Sequence, residues 1–242
     1  MATEPSPEWP DLANTDFVLP GSRSARDASR AIKPGRHGLP PEMVASIQRG
    51  RLIDAFILVT AEDGFPQVTI SRVTDAAGVT KKAFYVHFAS LDDCFIAAYE
   101  YGSATLMALM SQAYNAAPTW SDGIRAGLRV LLKVLASETP FAKASVVEIN
   151  AAGPRVREVR SRYLQRFRTF FAQSDDTGRP AIPVSVVDAV VDAVVGGIYS
   201  AIYIRVEAGR TDELLDLLPS LTYFALLPIL GREEAEQHLS AV

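Results

Sequence analysis

The 242-residue sequence predicts an all-α protein. Three observations carry that expectation. Val68 to Phe88 reads as two short capped helices around a tight turn. Two capping-box patterns, Ser90-x-x-Asp93 and Thr119-x-x-Asp122, each open a stretch with apolar residues at helical spacing. From Val184 onward, two apolar helical stretches follow one another, separated at Gly209. Together they predict about nine helices in three segments. Residues 1–40 are an extension, 41–90 a small three-helix domain, and 91–242 a larger helical domain.

The extension lacks apolar periodicity. Met1 to Pro20 is acidic and proline-punctuated, and Gly21 to Gly38 is basic and rich in Ser, Arg and Gly. Such composition predicts disorder in isolation. The basic half could lie along DNA, with Arg30, Lys33 or Arg36 entering a minor groove, or could be a solvated tail. Glu4, Glu8, Asp11 and Asp16 precede any apolar run, which argues against a signal peptide.

Helix one is expected from Glu42 to Glu62, started at Pro41 and ended by Gly64-Phe65-Pro66. Ile47, Leu52, Ile53, Phe56, Ile57 and Thr60 supply its stripe at helical spacing. Thr69 then caps a second helix whose Ile70, Val73 and Ala77 share one face. Gly78 stops it where positive φ is favoured. Thr80 caps the third helix, and Phe84 and Phe88 turn that helix inward. Lys81, Lys82, Tyr85 and His87 remain outward. Two cations, a phenol and an imidazole on a short helix suit the major groove of duplex DNA, where lysines reach base edges or phosphates. The same spacing also fits an ordinary αα-hairpin with a solvated face.

The segment Ala76-Ala77-Gly78-Val79-Thr80, followed by Phe84-Tyr85-Val86-His87-Phe88, resembles the recognition segment of the TetR family of bacterial transcriptional regulators. The resemblance runs from about Gln48 to Ala98. It implies an N-terminal helix-turn-helix domain that binds DNA, a C-terminal domain that binds a small-molecule effector, and a homodimer built on the last two long helices. The DNA contacts implied on this chain are Thr69, Ser71, Arg72, Thr80, Lys81, Lys82, Tyr85 and His87. Two positions depart from the family pattern: Ala83 stands where Thr or Ser is common, and Leu91 where a lysine usually opens the fourth helix.

Helix four should run from Ser90 to about Tyr114, linking the two domains. Helix five follows Thr119, with Leu128, Leu131, Leu132 and Leu135 buried. Helix six is expected from Pro140 through Asn150, and helix seven from Arg155 to about Gln173, with its arginines solvated. Ser174 to Pro183 is a polar loop. Val184 to Ala208 is apolar nearly all round, so two partners are expected for it, its own core and another subunit. Gly196 and Gly197 each cost about 1 kcal/mol against alanine in a helix, which close helix approach would offset. A last helix starts at Thr211. Candidate dimer contacts are Val190, Gly197, Leu214, Leu218, Leu221 and Phe224, on a two-fold interface.

The larger domain also offers aromatic and methionine side chains for a mostly apolar effector: Met107, Met110, Tyr114, Trp120, Phe141, Tyr163, Phe167, Tyr199 and Tyr203. Glu148 and Asn150 could add polar specificity. Aromatic residues at such spacing are also ordinary core.

The net charge of −4 argues against indiscriminate coating of nucleic acid, yet residues 21–90 hold ten basic against six acidic side chains. A locally basic end on an acidic chain fits DNA binding by that end. Cys94 is the single cysteine, so no intramolecular disulfide or multi-cysteine zinc site is possible. With three histidines and no G-x-S-x-G, H-E-x-x-H or phosphate loop, neither catalysis, cofactor nor metal is expected. The stretch Ala193 to Ile204 is short for a membrane span, and the expected location is the cytoplasm. The function expected is a ligand-released repressor that binds a palindromic operator. The alternative is a helical ligand carrier with a degenerate DNA-binding head.

Overall fold

Helix α1 (Pro41–Asp63) starts on a proline that has no amide hydrogen to leave unpaired, and it stops at Gly64, whose φ is 80°. The computed structural model describes residues 18–24, 40–171 and 183–239. Leu52, Phe56 and Ile57 of α1 are fully enclosed, and a short 3₁₀ turn, Phe65–Gln67, leads from it to α2 (Ile70–Ala77). Thr69 accepts the Arg72 amide at 3.2 Å, and Gly78 takes the left-handed conformation at φ 63°. Thr80 accepts the Ala83 amide at 3.1 Å and opens α3 (Lys81–His87). Val73, Ala77, Phe84 and Phe88 close this small core against α1.

Helix α4 (Leu91–Asn115) is capped by Ser90, which accepts the Asp93 amide at 3.1 Å. It joins the two domains: near its start Phe95 packs against Phe56 of α1 with tilted rings whose centroids are 5.1 Å apart, and farther on it packs along α5 (Trp120–Ser137). Leu91 is half-buried against the core, and Cys94 is fully enclosed, its thiol pushed up by burial.

Three expected helices are divided. The expected helix six is α6 (Thr139–Ala142), then a wider π-helical turn (Lys143–Val147), then a 3₁₀ turn (Glu148–Asn150). Side chains claim the carbonyls of this segment. Ser145 donates to Phe141 O at 2.6 Å, Tyr199 to Val146 O at 2.7 Å, and Asn150 to Val146 O at 3.0 Å. The regular ladder gives way where such competition is strongest. Helix α7 (Pro154–Arg166) tightens into a 3₁₀ turn, Phe167–Phe170, before the expected end. The Trp120 indole donates to Phe170 O there, at 3.0 Å. After α8 (Val187–Glu207), Thr211–Leu217 forms a 3₁₀ turn and α9 spans only Leu218–Leu230. Pro219 near its start lacks the amide that a continuous α-helix would need. A further helix, α10 (Arg232–Gln237), follows Gly231, so the described residues hold ten α-helices rather than about nine.

Part of the expected extension is folded against the rest. Leu19 is buried, the Gly21 amide donates to Asp54 Oδ1 at 2.9 Å, and Ser22 donates to Glu138 Oε2 at 2.7 Å. This strap touches α1 of one domain and the end of α5 of the other. A Cβ on Gly21 would stand 2.5 Å from Ile57 Cγ2, at a φ of 85°. Apolar Leu19 and a permissive glycine were the signals for it. Arg30, Lys33 and Arg36 lie outside the described residues.

By length and composition, Val187–Glu207 and Thr211–Leu230 are apolar enough to cross a membrane. Asp188, Asp192 and Arg205 punctuate the first of them.

Candidate nucleic-acid interface and ligand cavity

The paired caps and the glycine turn set α3 across α2, with Phe84 and Phe88 as its inward anchors. The outward face is Lys81, Lys82, Tyr85 and Val86, all exposed. Neither lysine forms an ion pair among the described residues, so both charges are available to an anion. Thr69 and Thr80 are exposed, but their hydroxyls already serve as helix caps. Ser71 is half-buried.

Two of the expected DNA contacts are differently engaged. Arg72 reaches back to the end of α1, with Nε 2.9 Å from Asp63 Oδ2 and an NH2 nitrogen 3.0 Å from Glu62 Oε2. That guanidinium holds the Asp63 carboxyl below its usual range. His87 is half-buried rather than outward, and its Nε2 is enclosed without a hydrogen-bond partner. Burial, and then the nearby Arg49 charge, lower its pKa. A histidine three residues after Phe84 turns toward the same core side, and Val86 takes the outward position four residues after Lys82.

The second domain holds a cavity of about 110 Å³ between α4, α5, the π-helical turn, α7 and α8. Of the expected effector contacts, Met110, Tyr114, Phe141, Phe167 and Tyr199 line it. Tyr99 and Leu106 of α4 join them, as do Ile124, Leu128 and Leu131 of α5, with Ile198 and Ile202 of α8 opposite. Those aliphatic residues have the spacing of any core helix, so sequence held no mark that distinguished them. Gly127 leaves room beside Met110, whose Cε is 3.8 Å from where a Cβ would stand.

The other candidates have structural partners. Met107 is buried outside the lining, and Trp120 is held by Phe170. Tyr163 meets Tyr99 edge-on at 5.6 Å, and Tyr203 donates to Glu207 at 2.6 Å. Asn150 donates to backbone carbonyls and, at 3.3 Å, to the Tyr199 hydroxyl behind the cavity wall. Glu148 faces the other way and accepts the Phe65 amide at 2.9 Å, joining the two domains.

No lining residue is charged; the polar groups are the hydroxyls of Ser103, Ser145 and three tyrosines. A buried charge without a partner is strongly disfavoured, so the cavity suits neutral, mostly apolar matter. Among the described residues, no group of three or more His, Cys, Asp and Glu is placed to hold a metal ion.

Of the expected dimer contacts, Leu214, Leu218 and Leu221 are buried within the chain itself. Val190 and Gly197 are half-buried. Phe224 is 41% exposed and lies over Gly197, where a Cβ would stand 2.7 Å from Phe224 Cε1. Gly196 has nothing within 4 Å of such a Cβ. Along α8 Ala189, Ala193, Gly196, Ser200 and Ile204 are exposed in a stripe at helical spacing, with the exposed carboxylates of Asp188 and Asp192 beside its first turns.

Residues 52–98 match the family model of bacterial regulatory proteins, tetR family. No curated protein matches the sequence. Among solved structures, the fatty acid degradation regulator FadR from Bacillus halodurans is similar at TM-score 0.68 and 17% identity, covering 81% of this chain and all of that one. The transcriptional regulator FadR from Bacillus subtilis, solved in complex with stearoyl-CoA, is similar at 0.63 and 17%, covering 78% of this chain and all of that one. RolR, in complex with resorcinol, is similar at 0.56 and 19%, covering 83% and 97%. Residues 52–98 therefore match the helix-turn-helix domain of tetR-family regulators, and the described chain shares its fold with these solved regulators.

Proposed function

We propose that this chain is a cytoplasmic repressor that binds a palindromic operator as a homodimer and is released by a small, mostly apolar effector. The observation that carries the reading is the outward face of α3, where Lys81, Lys82 and Tyr85 stand exposed on a helix anchored by Phe84 and Phe88. A two-fold dimer would set two such helices in successive major grooves, about 34–36 Å apart. The open small-residue stripe on α8, with Ile204 and Phe224 exposed near it, supports a second copy there, because small residues let two helices approach closely.

Resorcinol in RolR and stearoyl-CoA in the B. subtilis FadR complex mark two ends of a range. A cavity of about 110 Å³ is on the scale that takes a single ring, since an apolar cavity of about 150 Å³ binds benzene. A long acyl chain would have to displace side chains, and a charged head group would have to remain outside. The effector favoured is therefore an uncharged aromatic or short-chain compound. Its signal could pass through Tyr199 and the π-helical turn to Glu148, which holds Phe65 just ahead of α2.

The test is selection from random duplex DNA with the purified protein, followed by sedimentation of the complex. The expected result is an enriched inverted repeat bound by two protomers. A folded protein that enriches no sequence would instead be a ligand carrier with a degenerate head.

A further inference from the structure

Among the described residues, the most exposed of the large apolar side chains is Val86, at 70%, and it sits on α3 one turn after Lys82. A single exposed valine on an ordinary surface needs no explanation. This one occupies the outward face of the recognition helix, one turn after Lys82 and next in sequence to Tyr85, whose ring packs edge-on against Phe84 at 5.7 Å. Phe84 and Phe88 anchor the helix from its inward side, so the fold sets which face carries Val86. In a major groove, the chemistry available to the two valine methyls is narrow. Every base edge there presents donors or acceptors, which lose water against an apolar group without gaining a partner. The exception is the C5-methyl of thymine.

We propose that Val86 is a specificity-determining residue that reads a thymine methyl in each half-site. This rests on the DNA-binding reading above and adds a base to it. The lysines at the start of α3 supply attraction to phosphates and guanine edges, while Val86 supplies discrimination against cytosine, which carries hydrogen at C5 and an amine donor at N4. The contact needs no proton and no charge, so it should be insensitive to salt, unlike those of Lys81 and Lys82.

The experiment replaces the thymines of the selected duplex by uracil, one symmetric pair at a time. Each replacement deletes a methyl and leaves every hydrogen-bonding group in place. Wild-type protein should lose affinity at one position, by about fourfold per methyl and so about sixteenfold for the pair. Val86→Ala should bind the unmodified duplex more weakly and lose most of its response to uracil at that position. A second variant, Val86→Asn, should shift the preferred base toward adenine in a repeated selection, because its amide matches adenine N6 and N7. Equal uracil penalties in wild type and Val86→Ala at every position would overturn the proposal while leaving DNA binding intact. Failure of the folded wild type to bind any duplex would overturn both.

Discussion

The Glu148 carboxylate accepts the backbone amide of Phe65 at 2.9 Å, across 83 residues of sequence and from one domain to the other. Phe65 opens the turn between α1 and α2, and Glu148 directly follows the π-helical turn that forms part of the cavity wall. Gly64, just before Phe65, also lies against Glu148; a Cβ there would stand 3.5 Å from Oε2. One carboxylate thus ties the base of the DNA-binding head to the segment that an effector would press upon.

Glu148→Ala should cost about 1.5–3 kcal/mol of stability, the usual range for a hydrogen bond to a charged acceptor. Thermal or denaturant unfolding measures that cost. Operator affinity without effector should change little compared with the effector's power to release the protein, which should fall. Equal release by the same effector would show that the signal travels another way.

Gly102 lets Phe141 lie against α4: a Cβ at that position would stand 2.2 Å from the Phe141 ring. Since Phe141 also lines the cavity, Gly102→Ala should push the ring into that space. The expected cost is about 1–3 kcal/mol, together with weaker binding of cavity ligands, read by calorimetry. Undiminished ligand binding would mean that the ring moves away from the cavity.

Burial, and then the Arg49 charge, lower the pKa of His87 below its usual value near 6.5. Its unfolded form binds a proton more readily, so stability falls as pH drops below about 6.5 and the loss is complete once pH passes the lowered folded value. Between pH 7.5 and 5.5, wild type should lose more melting temperature than His87→Gln. Parallel losses would assign the acid sensitivity to other groups.

Ile204 is exposed on the open side of α8, seven residues and two turns beyond Gly197. Ile204→Glu should leave the helical signal in circular dichroism unchanged while shifting the protein toward monomer in sedimentation. A dimer as tight as wild type would place the interface on another surface.

Legibility in the sequence followed the range of the forces. The caps at Thr69, Thr80, Ser90 and Thr119, and the left-handed turn at Gly78, are local devices, and each stands where its residue type places it. The division of the sixth helix depends on Tyr199, more than fifty residues away, which takes the Val146 carbonyl. No local pattern carries that. The strap at Leu19 to Ser22 is anchored by Asp54 and Glu138, partners that only the fold brings near. Arg72 and His87 belong to the same lesson. Their types suit DNA, but the positions of Asp63 and Glu62 on α1, and of Phe88 and Arg49 around the imidazole, decide how they are engaged. In the cavity, tyrosines and phenylalanines could be singled out by type, whereas Leu128 and Leu131 were indistinguishable from core until α4 and α8 were set opposite them.

The measurement that bears most directly on the central claim is the salt dependence of binding to the selected inverted repeat, for wild type and for the Lys81→Ala, Lys82→Ala double variant. Affinity should fall linearly with salt on logarithmic axes. Each lysine that meets a phosphate should add about 0.9 to the slope in each protomer, so a dimer in which one lysine per protomer does so should lose nearly two units of slope in the variant. A variant that keeps both the affinity and the slope of wild type would show that α3 does not face the DNA, and would contradict the account at its base.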